Sequence, residues 1–334
     1  MKKLLQNSLK TKIKLILFIT FYIFVCINSS KAVDEKKFAL WKTDLINDAK
    51  IIGISDETLD KALKDVKILT KVIELDRTQP EKTISFEEYN KRVNSKNRIN
   101  SGKDMFVIHK DKLDKISQEY NVQPRFIVAI WGIETSYGGY IGNFPIISSL
   151  VSLAFEGRRA NFFRKELLNA LEIMENEGID LHLLKGSWAG AMGQSQFMPS
   201  SFIQYAQDFN KDGIKNIWEN HEDIFASIAH YLHSHGWNEN RTWGREVIID
   251  KKNINNINLN DLYDKPLAHW KSIGFKKIDG KNLPKVDIDA SLLMPDGING
   301  KKFLVYSNFK TIKKYNNSNY YALSVGILSD GVKH

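Results

Sequence analysis

Apolar residues recur at helical spacing along most of the chain before Trp243. From Glu35 to about Asn100, Ile46, Ala49 and Ile52, and later Leu63, Val66 and Leu69, are separated by polar positions, which predicts a helical lead-in. Gln79-Pro80 interrupts it, and a polar, Lys-rich stretch runs from Arg92 to Lys103. The same periodicity predicts helices over 105–119 and 124–137. Val122-Gln123-Pro124 is the turn between them, Pro124 opens the second helix, and Gly138-Gly139 stops it. Further helices are predicted over 161–176 and 223–234, with a segment rich in Gly, Ser and Gln, Gly186 to Phe202, between them.

Beyond Trp243 the texture changes to short β-prone runs, Val247-Ile248-Ile249 and Phe303-Leu304-Val305-Tyr306, broken by Asn, Gly and Pro. Tyr320 to Leu328 reads as a short helix returning to the main body. The expected fold class is therefore mainly α, of the α+β type. Its parts are an N-terminal helical region over 33–100, a helical core over 101–240 and a small mixed subdomain over 241–334. There is no internal repeat or low-complexity tract.

With 334 residues, 43% apolar and 26% charged, the chain can bury a sizeable core and is not a disordered protein. Residues 1–32 stand apart. Lys2, Lys3, Lys10, Lys12 and Lys14 precede the apolar run Leu15 to Ile27, and Ser30-Lys31-Ala32 follows it. That order is the order of a secretory signal peptide, and the run is short for a spanning helix. The alternative is an uncleaved anchor that would associate the protein with the membrane. Both put the remainder outside the cytoplasm, with a periplasmic location expected. Cys26 is the only cysteine, so the cleaved protein would form no disulfide, and Phe24-Val25 before it suit a lipid anchor poorly. A net charge of +9, spread without long blocks, argues against nucleic acid as partner and suits an anionic polymer.

The first chemical candidate is Glu134 in Ile130-Trp131-Gly132-Ile133-Glu134-Thr135-Ser136-Tyr137-Gly138, a carboxylate near the end of an apolar, aromatic helix. Desolvation there raises a carboxyl pKa, as a general acid working near neutral pH requires. An ordinary exposed helix glutamate is the plainer reading. The second is Gly186 to Phe202, where small residues let backbone approach a ligand while Gln194, Gln196 and the hydroxyls can bond sugar hydroxyls and amides. A tight loop is the plainer reading there. A third, Asp208-Phe209-Asn210-Lys211-Asp212-Gly213 with Glu219, fits the spacing of a calcium loop, although such a match is often only a polar turn. His182, His221, His230, His233 and His235 make no convincing zinc set, and Ser195 and Ser200 have no visible base for nucleophilic work.

Several motifs occur in order: Ala129 to Thr135, Arg158-Arg159-Ala160-Asn161-Phe162-Phe163, Ser187 to Phe202, Ala229-His230-Tyr231-Leu232 to Gly236-Trp237, Asn308-Phe309, and Tyr315-Asn316-Asn317-Ser318. Through them the chain resembles, from about Leu75 to Asp330, the type B group of lytic transglycosylases, the relatives of membrane-bound lytic murein transglycosylase B. The resemblance implies a lysozyme-like helical catalytic core flanked by smaller domains, with peptidoglycan glycan strands as partner. It places Glu134 at the catalytic position, and Ser187, Gln196, Phe197, Arg158, Arg159, Tyr231, Tyr315 and Asn316 along the groove. Arg158 and Arg159 would pair with peptide-stem carboxylates, or else be two solvated helix charges. The resemblance also implies a structural Ca²⁺ on Asp208, Asn210 and Asp212, and favours Asp223 over Glu219 as the further ligand. Catalysis itself would need no cofactor.

The implied reaction uses one carboxyl group. Glu134 protonates the glycosidic oxygen between N-acetylmuramic acid and N-acetylglucosamine, then accepts the proton of the muramoyl C6 hydroxyl as that oxygen closes a 1,6-anhydro ring. A hydrolytic glycosidase normally pairs two carboxylates about 5 to 10 Å apart, and the nearest downstream one in sequence is Glu156. A muramidase that hydrolyses the same bond, and a non-catalytic wall-binding protein, are the alternatives.

Overall fold

The structure, a computed structural model, describes residues 34–78 and 84–333. The signal or anchor segment, Cys26 and the Gln79-Pro80 break lie outside the described residues. Backbone contacts divide the chain after Asp48. The described part of the first unit is the start of α1 (Glu35–Ile51), where Asp34 accepts a hydrogen bond from Lys37 N at 3.0 Å.

The second unit opens with α2 (Asp56–Leu63), α3 (Thr70–Arg77), α4 (Phe86–Val93) and α5 (Lys96–Ile108). Ser55, Ser85 and Ser95 start α2, α4 and α5 in the same way, each hydroxyl accepting from the amide three residues on. The cap at Ser95 makes most of the Lys-rich stretch helical, with Lys96 and Lys103 on its exposed side.

The single helix expected over 105–119 is two. His109 (φ −104°, ψ 15°) ends α5 and precedes α6 (Lys110–Tyr120). Its ring is packed 5.7 Å from that of Trp131 and 4.4 Å from that of His221, tertiary contacts that periodicity cannot report. Pro124 opens α7 (Pro124–Thr135), whose residues from Phe126 to Gly132 are all buried. α7 stops short of 137 because Ser136 (φ 52°), Tyr137 (φ 62°) and Gly138 (φ 79°) are all left-handed.

Next come β1 (Phe144–Pro145), α8 (Ile146–Glu156), α9 (Ala160–Asn176) and β2 (Lys185–Gly186), with β1 and β2 antiparallel. α10 (Pro199–Tyr205) and α11 (His221–Ser234) complete the helical region. The strands β3 (Gly244–Ile249), β4 (Lys265–Pro266), β5 (Phe275–Lys277), β6 (Asp289–Leu293) and β7 (Lys302–Val305) form one antiparallel sheet in the order β4-β6-β7-β3-β5. Between β4 and β5 lies α12 (Leu267–Ser272). The chain ends with α13 (Ser307–Tyr315) and α14 (Asn319–Gly331).

The period-2 geometry of β7 explains why it reads as an unbroken apolar run. Phe303 and Val305 enter the main core with Phe126, Ile130 and Trp131 of α7, Phe225 of α11 and Leu323 of α14. Leu304, facing the other way, joins Trp270 and Phe275 in the core behind the sheet. Each such fully buried side chain stabilises the fold by about 1.5–3 kcal/mol, and β6 spans the same two cores through Leu293 and Leu292. Gly326 lets α14 dock, since a Cβ there would lie 2.2 Å from the Trp243 ring. Among the described residues no helix is long and apolar enough to cross a membrane.

Candidate active site

The C-terminal turn of α7 carries Glu134, and α14 supplies its partner. The hydroxyl of Tyr321 donates to Glu134 Oε1 at 2.6 Å. Part of the Glu134 residue remains accessible, as reaching a substrate requires. Protein otherwise surrounds the carboxyl, and this desolvation raises its pKa from 4.5 to about 7, partly opposed by the Tyr321 hydrogen bond, which favours the anion. Burial and the adjacent carboxylate push the Tyr315 and Tyr321 hydroxyls well above 10, so both stay neutral donors.

The Gly-, Ser- and Gln-rich segment is stitched to the end of α7. Trp131 Nε1 donates to Gln194 Oε1 at 2.7 Å, and Gln194 Nε2 donates to Trp218 O at 2.7 Å. Thr135 Oγ1 donates to Gln194 O at 3.3 Å. All these atoms are buried, so a lost partner would leave a polar group unsatisfied. Tyr315 Oη donates to Ser195 O at 2.6 Å, fixing the same loop from α13.

A cavity of about 150 Å³ opens beside the carboxyl, lined by Glu134, Tyr140, Ile141, Gly142, Phe144, Ser187, Trp188 and Gln196. Ser187 and Gln196, expected along the groove, are thus brought to Glu134. Ser187 Oγ accepts from Ala191 N at 3.0 Å, and its proton has no acceptor among the described residues. Gln196, left-handed at φ 50°, donates its amide to Ile141 O at 3.1 Å and Gly193 O at 2.8 Å, leaving its carbonyl oxygen free to accept. Gly142 (φ 91°) is pressed on the Gly186 carbonyl, which a Cβ would approach to 2.1 Å. Among the described residues no second carboxylate lines this cavity. Tyr140, Phe144 and Tyr321 had no signal in the sequence beyond their being aromatic, whereas Trp188 lies within the Gly186 to Phe202 segment.

Other expected groove residues sit differently. Phe197 is 1% exposed, because its backbone pairs with Met192 in both directions and turns the ring inward. Its ring packs in the core, with the Tyr231 and Tyr315 rings each 5.7 Å away. Tyr231, 8% exposed, donates to Lys314 O at 2.6 Å and supports α13 from below. Asn316 is exposed just after α13. Arg158 is turned onto buried Asp76, with its backbone N 3.2 Å and its Nε 3.5 Å from Asp76 Oδ2 and its Nη2 2.6 Å from Asp76 O. Arg159 lies over the rings of Phe162 and Phe163, at 5.6 and 5.0 Å. Neither arginine lines the Glu134 cavity.

The calcium-type loop closes on its own amides. Asp208 accepts from Asp212 N at 3.1 Å and Gly213 N at 2.8 Å, and Asp212 accepts from Ile214 N at 3.0 Å. Fully buried Asp223 ties both ends of the loop, accepting from Phe209 N at 2.8 Å and Asn216 N at 2.9 Å, while Glu219 is exposed. Asp208, Asn210, Asp212 and Asp223 are therefore gathered around one loop. The three aspartate carboxylates and the Asn210 carbonyl oxygen all accept from amides, and among the described residues no set of three or more His, Cys, Asp or Glu side chains is disposed to hold a metal.

Residues 37–330 match the family model described as the transglycosylase SLT domain. The chain is 31% identical over 296 residues to membrane-bound lytic murein transglycosylase B of Escherichia coli (strain K12), covering 84% of this chain and 79% of that protein. It is similar to the crystal structure of SltB3 from Pseudomonas aeruginosa in complex with NAG-anhNAM-pentapeptide, with a TM-score of 0.83, 39% identity, and coverage of 88% of this chain and 78% of that one. The structure of the Escherichia coli lytic transglycosylase SLT35 in complex with calcium gives a TM-score of 0.74 at 31% identity, with coverage of 87% and 92%.

Proposed function

The chain belongs to the transglycosylase SLT domain family, and on that premise we propose that Glu134 is the single acid and base with which it cuts peptidoglycan glycan strands. The protein is a lytic murein transglycosylase, mainly α with a small sheet and a lysozyme-like helical core. The observation that carries the role of Glu134 is its environment: a carboxyl raised to about 7 by burial, at the mouth of a cavity whose described lining has no other carboxylate.

Neutral Glu134 donates its proton to the glycosidic oxygen between N-acetylmuramic acid and N-acetylglucosamine as the C1–O bond breaks. The carboxylate left behind takes the proton of the muramoyl C6 hydroxyl, and the C6 oxygen closes on C1. The product is a 1,6-anhydro sugar, and no water is consumed. Tyr321 holds the carboxyl in place through both halves, and Ser187 Oγ and Gln196 Oε1 are placed to meet sugar or acetamido groups. Arg158 and Arg159 steady the α8–α9 turn in this reading, against Asp76 and Phe163.

We further propose export to the periplasm through residues 1–32, in keeping with a relative named as membrane-bound. Asp208, Asn210 and Asp212, with Asp223 behind them, are proposed to take a structural Ca²⁺. The support is the alternation of hard oxygen donors, the bend at Gly213 (φ 93°) and a relative solved with calcium.

Mass spectrometry of muropeptides released from purified peptidoglycan tests the main reading, with Glu134→Gln in parallel. Anhydro-muropeptides from the wild type alone are expected. Reducing-end muropeptides would make the protein a muramidase, and release by the variant would remove Glu134 from its role.

A further inference from the structure

A cavity of about 150 Å³ beside Glu134 is well below the roughly 300–1,000 Å³ of sites that enclose a whole drug-sized ligand. It can take one group of a sugar, not a length of polymer, so a glycan strand must lie across its mouth. At that mouth stands Tyr140, 65% exposed, whose hydroxyl has no hydrogen-bond partner among the described residues. What sets Tyr140 apart from exposed aromatics elsewhere, such as Tyr263, is its place in the lining of the cavity that holds Glu134.

The backbone around Tyr140 is fixed. Tyr140 N donates to Thr135 O at 2.9 Å, and the turn before it runs through the left-handed residues Ser136, Tyr137 and Gly138. On the other side, Gly142 is held against Gly186. Phe144 in β1 and Trp188 on the facing loop line the same cavity, and the indole N–H of half-buried Trp188 also has no acceptor among the described residues. Two facing segments thus bring three aromatic side chains around one carboxyl group, with two donors, the Tyr140 hydroxyl and the Trp188 N–H, that have no acceptor among the described residues.

We propose that Tyr140, backed by Phe144 and Trp188, is a stacking platform for the apolar C–H face of one sugar ring next to the scissile bond, and so sets how tightly the strand is held. This rests on the glycan-cleaving reading of Glu134. Aromatic rings offer broad contact area at small conformational cost, and their electron-rich faces favour C–H groups. Tyr140 touches no reacting atom in this role. It acts on binding, while Glu134 and Tyr321 act on chemistry.

The test compares Tyr140→Ala, Tyr140→Phe and wild type on soluble, uncross-linked glycan strands. Tyr140→Ala is expected to raise KM about tenfold with kcat within about twofold and an unchanged pH profile, the size of one well-packed aromatic contact. Tyr140→Phe keeps the ring and is expected to behave as wild type. In parallel, Glu134→Gln and Glu134→Gln/Tyr140→Ala are compared for binding to insoluble peptidoglycan, where the double variant should bind about tenfold more weakly. An unchanged KM for Tyr140→Ala, a loss confined to kcat, or equal losses for Phe and Ala would overturn the platform. If the wild type releases no anhydro product, the catalytic reading fails, and the binding comparison still decides the role of Tyr140.

Discussion

Tyr321 donates its hydroxyl to Glu134 Oε1 at 2.6 Å across 187 residues of sequence, joining the last helix of the chain to the acid at the end of α7. The bond has two opposed effects. It orients the carboxyl, and it favours the charged form of a group that burial favours as neutral.

Tyr321→Phe should therefore lower kcat roughly tenfold through lost orientation, yet move the alkaline limb of the pH profile upward. Glu134 must begin protonated, so wild-type activity falls as pH rises through about 7. Removing a hydrogen bond that lowers this pKa displaces that fall to higher pH. Initial rates across pH 5 to 9 check it, and a downward displacement would show that Tyr321 serves the neutral acid instead.

Glu134→Gln should abolish release while stabilising the fold at high pH. Below 4.5 the carboxyl is neutral in both folded and unfolded chains, whereas above about 7 the folded chain must hold a desolvated charge. Stability present below 4.5 is thus lost as pH rises through 7, by on the order of 3 kcal/mol. Urea unfolding at pH 8 should favour the variant and at pH 4 show little difference. A wild type at least as stable as the variant at pH 8 would mean the charge is well solvated.

Gln194→Leu tests the stitching of the loop to α7. It strands the Trp131 indole N–H and the Trp218 carbonyl, both now satisfied by Gln194. A loss of about 2–4 kcal/mol in chemical denaturation is expected, since each buried unsatisfied group costs about 1–3 kcal/mol. Activity should fall at temperatures where the variant is still folded, because Gln196 and Ser187 ride on the same segment.

Calcium should raise the melting temperature of the wild type, and a chelator should reverse the rise. At a hundredfold excess over Kd the gain is about 2.7 kcal/mol. Asp208→Asn/Asp212→Asn should lose the calcium response. Asp223→Asn should melt lower even in chelator, because Asp223 fastens Phe209 and Asn216 with or without metal. No calcium shift in the wild type would leave the loop as a polar turn.

Much of the architecture was readable from local pattern. α7 followed from apolar spacing and Pro124, α14 from the run around Tyr320 to Leu328, and β7 from an apolar stretch that proves to face two cores. Glu134 stood out as a lone acid in an apolar helix, and the neighbouring Gly-Ser-Gln segment does come to it. The break at His109 did not show, since α5 and α6 carry similar periodicity on either side of one residue held by distant rings.

Periodicity, capping and charge are local, acting over a turn or two, and so the sequence by itself determined the helices, the candidate acid and the polar loop. What surrounds that acid is set by packing between distant segments, and only the tertiary structure decided it. Docking of α14 beside Trp243 brings Tyr321 to Glu134, while the pairing of Phe197 with Met192 sends its ring inward. Buried Asp76 engages Arg158, and the turn after α7 raises Tyr140 to the cavity's mouth. Each of these depends on desolvation and close contact, which have no value until the chain is folded.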